Sequence, residues 1–140
     1  MSERPRKGDP AEQRAWPELL ARHPDGTPRL VGGFSPTSGL HHFPIAEVCP
    51  YSGAADVERR LLSPTGTLWG WTSVETAPPG YAGPVPYGFG IVELPEGIRI
   101  VTRLTEPDPS RLAFGQPVRL VVEMMPVTDG DTAEIYAFAP

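Results

Sequence analysis

The chain has 140 residues, 19 of them proline and 15 glycine, with 39% apolar and 21% charged residues. That balance excludes wholesale disorder, which needs low hydrophobicity with high charge. The non-repetitive Pro/Gly excess predicts one small domain rich in turns and short strands. A net charge of −5 argues against a nonspecific nucleic-acid binder, which must set cations against phosphates, and a single cysteine excludes an intrachain disulfide framework. No run approaches the ~18 apolar residues of a membrane span and Met1–Pro10 is polar, so the expected localisation is cytoplasmic.

Residues 1–29 read as a flexible arm followed by a helix. Trp16, Leu19, Leu20 and His23 recur at i, i+3, i+4 and i+7, one face of a helix over Ala11–His23. Pro17 fits such a helix only in its first turn. His23-Pro24-Asp25-Gly26 ends it. Packing on its own domain and packing on a partner are both open.

Residues 30–62 are punctuated by Gly32, Gly33, Pro36, Gly39, Pro44, Pro50 and Gly53, which leaves no room for a long helix. Short strands are expected at Leu30–Phe34 and His42–Ile45. A segment so broken relies on a metal or on its neighbour for a core.

Residues 63–140 read as all-β, with strands expected at Thr67–Thr76, Pro86–Leu94, Ile98–Thr105, Val118–Met125 and Ala133–Phe138. Ile98, Ile100, Thr102 and Leu104 alternate with Arg99, Val101 and Arg103. Val118, Leu120, Val122 and Met124 alternate with Arg119, Val121 and Glu123. This period of two marks half-buried strands. Pro95-Glu96-Gly97 is a hairpin link, and Thr128–Thr132, with Asp129-Gly130, is a turn joining the last two strands. Five strands suit a small Greek-key barrel of OB type better than a sandwich.

The most informative spacing is a damaged one. Ser35-Pro36-Thr37-Ser38-Gly39 and Cys49-Pro50-Tyr51-Ser52-Gly53 follow C-x2-C-G and C-P-x-C-G with ten residues between the pairs, the geometry of two zinc knuckles. Three of the four ligand positions, Ser35, Ser38 and Ser52, are serine, and only Cys49 remains. A neutral hydroxyl is a poor zinc ligand, and one thiolate cannot hold structural zinc. His41 and His42 stand nearby without a matching fourth ligand. The expectation is a metal-free remnant held by its turns.

These elements, in this order, resemble the DUF35 family, with its rubredoxin-like zinc ribbon followed by an OB-fold. The resemblance rests on the two knuckles with Phe43-Pro44 between them, on Leu62–Leu68 with Trp71-Thr72, on Pro86–Leu94 and Glu96–Arg99, on Phe114–Val118, and on the terminal Tyr136–Pro140. It runs from about Trp16 to the end, and the lost cysteines are its departure. It implies a mainly β fold: an N-terminal helix, a degenerate ribbon over 30–62 and a five-stranded OB-fold barrel over 63–140. It also implies a non-catalytic subunit beside a thiolase-superfamily enzyme (thiolase, aldolase or acyltransferase) acting on acyl-CoA or related acyl substrates. Such a subunit supports assembly and the shape of the substrate channel. No tightly bound cofactor and no zinc are expected, and contact with CoA arises within the complex.

The residues accord with a part that has no catalytic group of its own. G-x-S-x-G, H-E-x-x-H and phosphate loops do not occur, and Asp129/Asp131 flank a turn glycine. A Cys49–His41 or Cys49–His42 nucleophile pair is conceivable, but a cysteine heading a knuckle is more often structural. The loop Ala77–Tyr87 has no charge and contains Pro78, Pro79, Tyr81, Pro84, Pro86 and Tyr87. It either docks on the partner, where stiffness limits the ordering cost, or folds back over one end of the barrel. Together with Trp16, Tyr81, Pro84, Pro86 and Tyr87 are the candidates for partner or channel contact. Arg99 and Arg103 share a strand face and either meet a CoA phosphate or solvate the barrel. Trp69 and Trp71 are both core or both exposed. If exposed, they fit the alternative reading, a single-stranded nucleic-acid-binding OB module.

Overall fold

The structure, a computed structural model, describes residues 19–126, 130 and 132–140. Its elements are β1 (Leu20–Arg22), β2 (Pro28–Ser35), β3 (Leu40–His42), β4 (Glu58–Leu61), β5 (Thr65–Val74), β6 (Tyr87–Glu93), β7 (Arg99–Leu104), a 3₁₀ turn at Pro109–Arg111, β8 (Pro117–Pro126) and β9 (Thr132–Ala139). The fold is mainly β, and there is no α-helix among the described residues.

The five expected strands close into a barrel in the order β5-β6-β7-β9-β8, antiparallel except for β7 and β9, which run parallel. This is an OB-fold. Closure gives each barrel strand a partner on both sides and turns one face of each strand inward. Leu68, Val92, Ile100, Thr102, Leu104, Val118, Leu120 and Phe138 supply that inner face and are buried. Pro95-Glu96-Gly97 makes the expected hairpin, with the Gly97 amide donating to Leu94 O at 2.9 Å. The Asp129-Gly130 turn lies mostly outside the described residues, although β8 and β9 pair up to Pro126↔Thr132.

The alternation of β8 breaks where it leaves the barrel. β5 pairs with β8 only over Pro117–Arg119, so the far half of β8 has β9 as its ladder partner. There Met124 is exposed and Met125 is buried, the reverse of the expected faces. The Ala77–Tyr87 loop covers the Met125 side: a Cβ on Gly83 would stand 3.0 Å from the Met125 sulfur.

The expected N-terminal helix is overturned where it can be seen. Leu20–Arg22 is a strand paired antiparallel with Pro28–Leu30, while Trp16 and the other positions before Leu19 lie outside the described residues. Pro17 and Pro24 bracket only six residues, too few for a stable helix, and Pro24 disfavours α geometry before it. Asp25 closes the hairpin instead, accepting from the Thr27 amide at 2.9 Å.

In the ribbon segment β2 is the central strand, paired with β1, β3 and β4. β3 ends at His42 rather than running to Ile45, because Pro44 has no N–H to extend the ladder. Gly33 lets the segment close up: a Cβ there would run into the His42 imidazole and stand 2.8 Å from Val57 Cγ1. Leu30 and Leu62 are fully buried in the same cluster as the barrel residues. Phe43 meets Tyr136 of β9 edge-on at 5.8 Å. Ser63, at the junction, donates through its amide and hydroxyl to Glu96 Oε2 at 2.8 and 3.1 Å. Ribbon and barrel therefore share one core.

Candidate functional site

Three of the four knuckle positions, Ser38, Cys49 and Ser52, come together, and Ser35 faces elsewhere. Each knuckle keeps its turn: the Gly39 amide donates to Ser35 O and the Gly53 amide to Cys49 O, both at 2.8 Å. Both glycines have left-handed φ, 69° and 73°, which a side chain would resist. Cys49 is 1% exposed, with its sulfur 3.5 Å from Ser38 Oγ. Hydrogen bonds with the Ser38 and Ser52 hydroxyls, together with backbone hydrogen bonds, outweigh burial and hold its thiol down at about 6. Ser35 turns away and donates to Asp56 Oδ1 at 2.6 Å. One thiol and three hydroxyls do not fit tetrahedral zinc. Among the described residues no group of three or more His, Cys, Asp or Glu side chains is placed to hold a metal ion.

Asp56 escaped the sequence reading. Its Oδ2 also accepts from the Thr37 amide at 2.9 Å and the Thr37 hydroxyl at 2.6 Å, and these bonds hold its carboxyl down at about 2. Only its place three residues after the second knuckle hinted at it. The histidines serve structure. His42 is buried, its Nε2 accepts from the Ala46 amide at 3.3 Å, and burial pushes its pKa down. His41 packs 4.8 Å from the Phe34 ring.

The second region is the outer wall of β5, β6 and β7. Cross-strand pairs share a face, so Phe89/Arg103, Ile91/Val101 and Glu93/Arg99 all point outward while Val92, Ile100 and Thr102 point in. The two tryptophans part company. The register of β5 and β6 shifts between Leu68 and Gly70, and this bulge leaves Trp69 outside while returning Trp71 to the core side. Trp71 donates from Nε1 to Pro109 O at 3.0 Å. Trp69 is 42% exposed, faces Phe114 (69% exposed) at 6.4 Å, and carries the Arg99 guanidinium 3.9 Å above its ring. With Val101, 56% exposed, and Phe89, these residues form an apolar wall.

The two arginines on that wall differ. Arg99 pairs with Glu93 at 3.1 Å and lines an open cleft of 330 Å³ with Phe43, Tyr51 and Ile98, where ribbon meets barrel. Arg103 is spent on structure: its side chain is 14% exposed, Nε donates to Glu123 Oε2 at 2.9 Å, Nη1 donates to Tyr81 Oη at 3.0 Å, and the guanidinium lies 4.9 Å from the Tyr87 ring. Tyr81 in turn donates to Pro84 O at 2.6 Å and packs 4.9 Å from Tyr87. Both tyrosines fold back on the barrel, whereas Pro84, Val85 and Pro86 stay exposed. The loop thus folds back on the barrel through Tyr81 and Tyr87 and leaves its Pro84–Pro86 tip exposed. No helix among the described residues is long and apolar enough to cross a membrane.

A closed five-stranded barrel beside a small sheet that carries the two knuckle turns defines the class, an OB-fold protein with an N-terminal β extension. Comparison with known proteins makes this particular. The family model for the ChsH2 C-terminal OB-fold domain matches residues 59–123. A "DUF35 domain-containing scaffold protein" from Pyrococcus furiosus is 30% identical over 110 residues, 79% of this chain and 80% of the relative. The solved "Ltp2-ChsH2(DUF35) aldolase" aligns with a TM-score of 0.60 at 28% identity, covering 80% of this chain and 84% of that one. A "Probable enoyl-CoA hydratase alpha subunit" from Thermomonospora curvata is 36% identical over 81 residues, but the chain spans only 25% of its length. This chain belongs to the DUF35 family.

Proposed function

We propose that the chain is a non-catalytic accessory subunit of a thiolase-superfamily complex acting on acyl-CoA or related acyl substrates, supporting assembly and the shape of the substrate channel. The observation that carries this reading is the apolar wall. Trp69, Phe89, Val101 and Phe114 stand exposed together on one side of a barrel whose interior is already full. Contiguous exposed aromatic and aliphatic side chains on a small protein mark a protein interface, and Trp, Phe and Arg are the residues enriched there. The scaffold and aldolase names of the relatives point the same way.

Docking would desolvate the wall and the Pro84–Pro86 tip, whose pinned base leaves little entropy to lose. Arg99, at the cleft between ribbon and barrel, is the cation we assign to a CoA phosphate. Arg103 instead holds the loop. The nucleic-acid alternative draws on the Trp69–Arg99 stack, but a net charge of −5 disfavours it.

The test is affinity purification of the tagged chain from its native host. The expected result is a thiolase-superfamily enzyme in stoichiometric amount, with acyl-CoA turnover in the complex and none in the chain alone. Recovery of the chain with nucleic acid in a salt-dependent complex, or full turnover by the chain alone, contradicts it.

A further inference from the structure

We propose that Asp56 carries the cross-link that a metal would otherwise make between the two knuckles, so that residues 35–56 are closed by a carboxylate hub and need no ion. The backbone of both knuckles is intact, down to matching glycine turns, while the ligand set is gone. A bound metal would tie the first knuckle to the second through side chains. Asp56 does this from the chain just after the second knuckle, reaching back 21 positions to Ser35 and 19 to Thr37. Both carboxylate oxygens are used, Oδ1 by the Ser35 hydroxyl and Oδ2 by the Thr37 amide and hydroxyl. Charge-assisted bonds of this kind are the strong ones, and closing a loop of this length is where a discrete tie has most to contribute. Ser35 is thereby turned away from the other ligand positions. Ser38 and Cys49 remain joined by a part-buried hydrogen bond at 3.5 Å, the one side-chain tie left between the former ligand positions of the two knuckles among the described residues.

The experiment uses the full chain. Wild type is expected to contain no stoichiometric zinc and to melt at the same temperature with chelator, with added zinc, or with neither. Asp56→Ala is expected to lower the melting temperature by roughly 5–10 °C. Ser35→Ala and Thr37→Val, each removing part of the hub, should give smaller shifts that do not add to that of Asp56→Ala. These milder variants keep the test decisive if Asp56→Ala fails to fold. The triple variant Ser35→Cys/Ser38→Cys/Ser52→Cys, which restores four thiols on the same turns, should bind one cobalt ion with thiolate charge-transfer absorption and gain stability from zinc. One zinc per wild-type chain with chelator-sensitive melting overturns the proposal. So does an Asp56→Ala, Ser35→Ala and Thr37→Val series that melts like wild type, or a four-thiol variant that takes up no metal.

Discussion

In the barrel, Leu68, Val92, Ile100, Leu104 and Phe138 interlock inside a closed ladder, so order is distributed over many contacts. In the ribbon segment, three- and four-residue strands flank β2, and order is concentrated in a few groups: the Gly39 and Gly53 turns, the Gly33–His42 approach and the Asp56 hub. The difference teaches where substitution is tolerated. A barrel position can change within its volume class, whereas loss of one knuckle ligand needs a replacement bond at a defined place.

The largest effect should come from the core the two regions share. Phe138→Ala is expected to cost about 3–5 kcal/mol in denaturant unfolding and to loosen ribbon and barrel in one transition. Two separate transitions would show that the regions are independent after all. Next, Gly33→Ala forces a Cβ into the His42 ring and should cost about 1–3 kcal/mol. Hydrogen exchange should localise that loss to β2–β4, and a uniform loss across the barrel would break the contrast. Arg103→Ala should cost only about 1 kcal/mol, since the Glu123 ion pair is partly solvated, yet it should expose the Ala77–Tyr87 loop to proteolysis. Unchanged cleavage would mean that Tyr81 does not depend on Arg103.

How much of this was legible follows the same division. The barrel strands were readable because Ile98–Leu104 and Val118–Leu120 alternate cleanly, and alternation is what a closed sheet imposes. The reading failed at Met124, where β8 leaves the barrel and a loop covers the opposite face. β1 is too short to show any period. β4, Glu58-Arg59-Arg60-Leu61, is a charged, largely exposed strand with no apolar alternation. The knuckles were legible as spacing. Asp56, Glu123 and the bulge at Trp69 were not, because each acts on a residue brought near only by folding.

The smallest effect concerns acid. Thr27 bonds hold the Asp25 carboxyl down at about 2 from 3.8. Because the folded value lies below the unfolded one, its contribution to the β1–β2 hairpin is complete above pH about 4 and is lost as pH falls through about 2. Carboxyl NMR titration of Asp25 should show that low midpoint, and a midpoint near 3.8 would remove the contribution.

The central claim, docking through the β5–β7 wall, is tested most directly by calorimetric titration of the co-purified partner enzyme with wild-type chain, Trp69→Ala, Phe114→Ala and Met124→Ala. Met124 is exposed on β8, a strand that is not part of the wall, and serves as the control. The account predicts that the two wall variants bind at least about tenfold more weakly while Met124→Ala stays within about twofold of wild type. Equal affinities for wild type and both wall variants, or a loss confined to Met124→Ala, would contradict it.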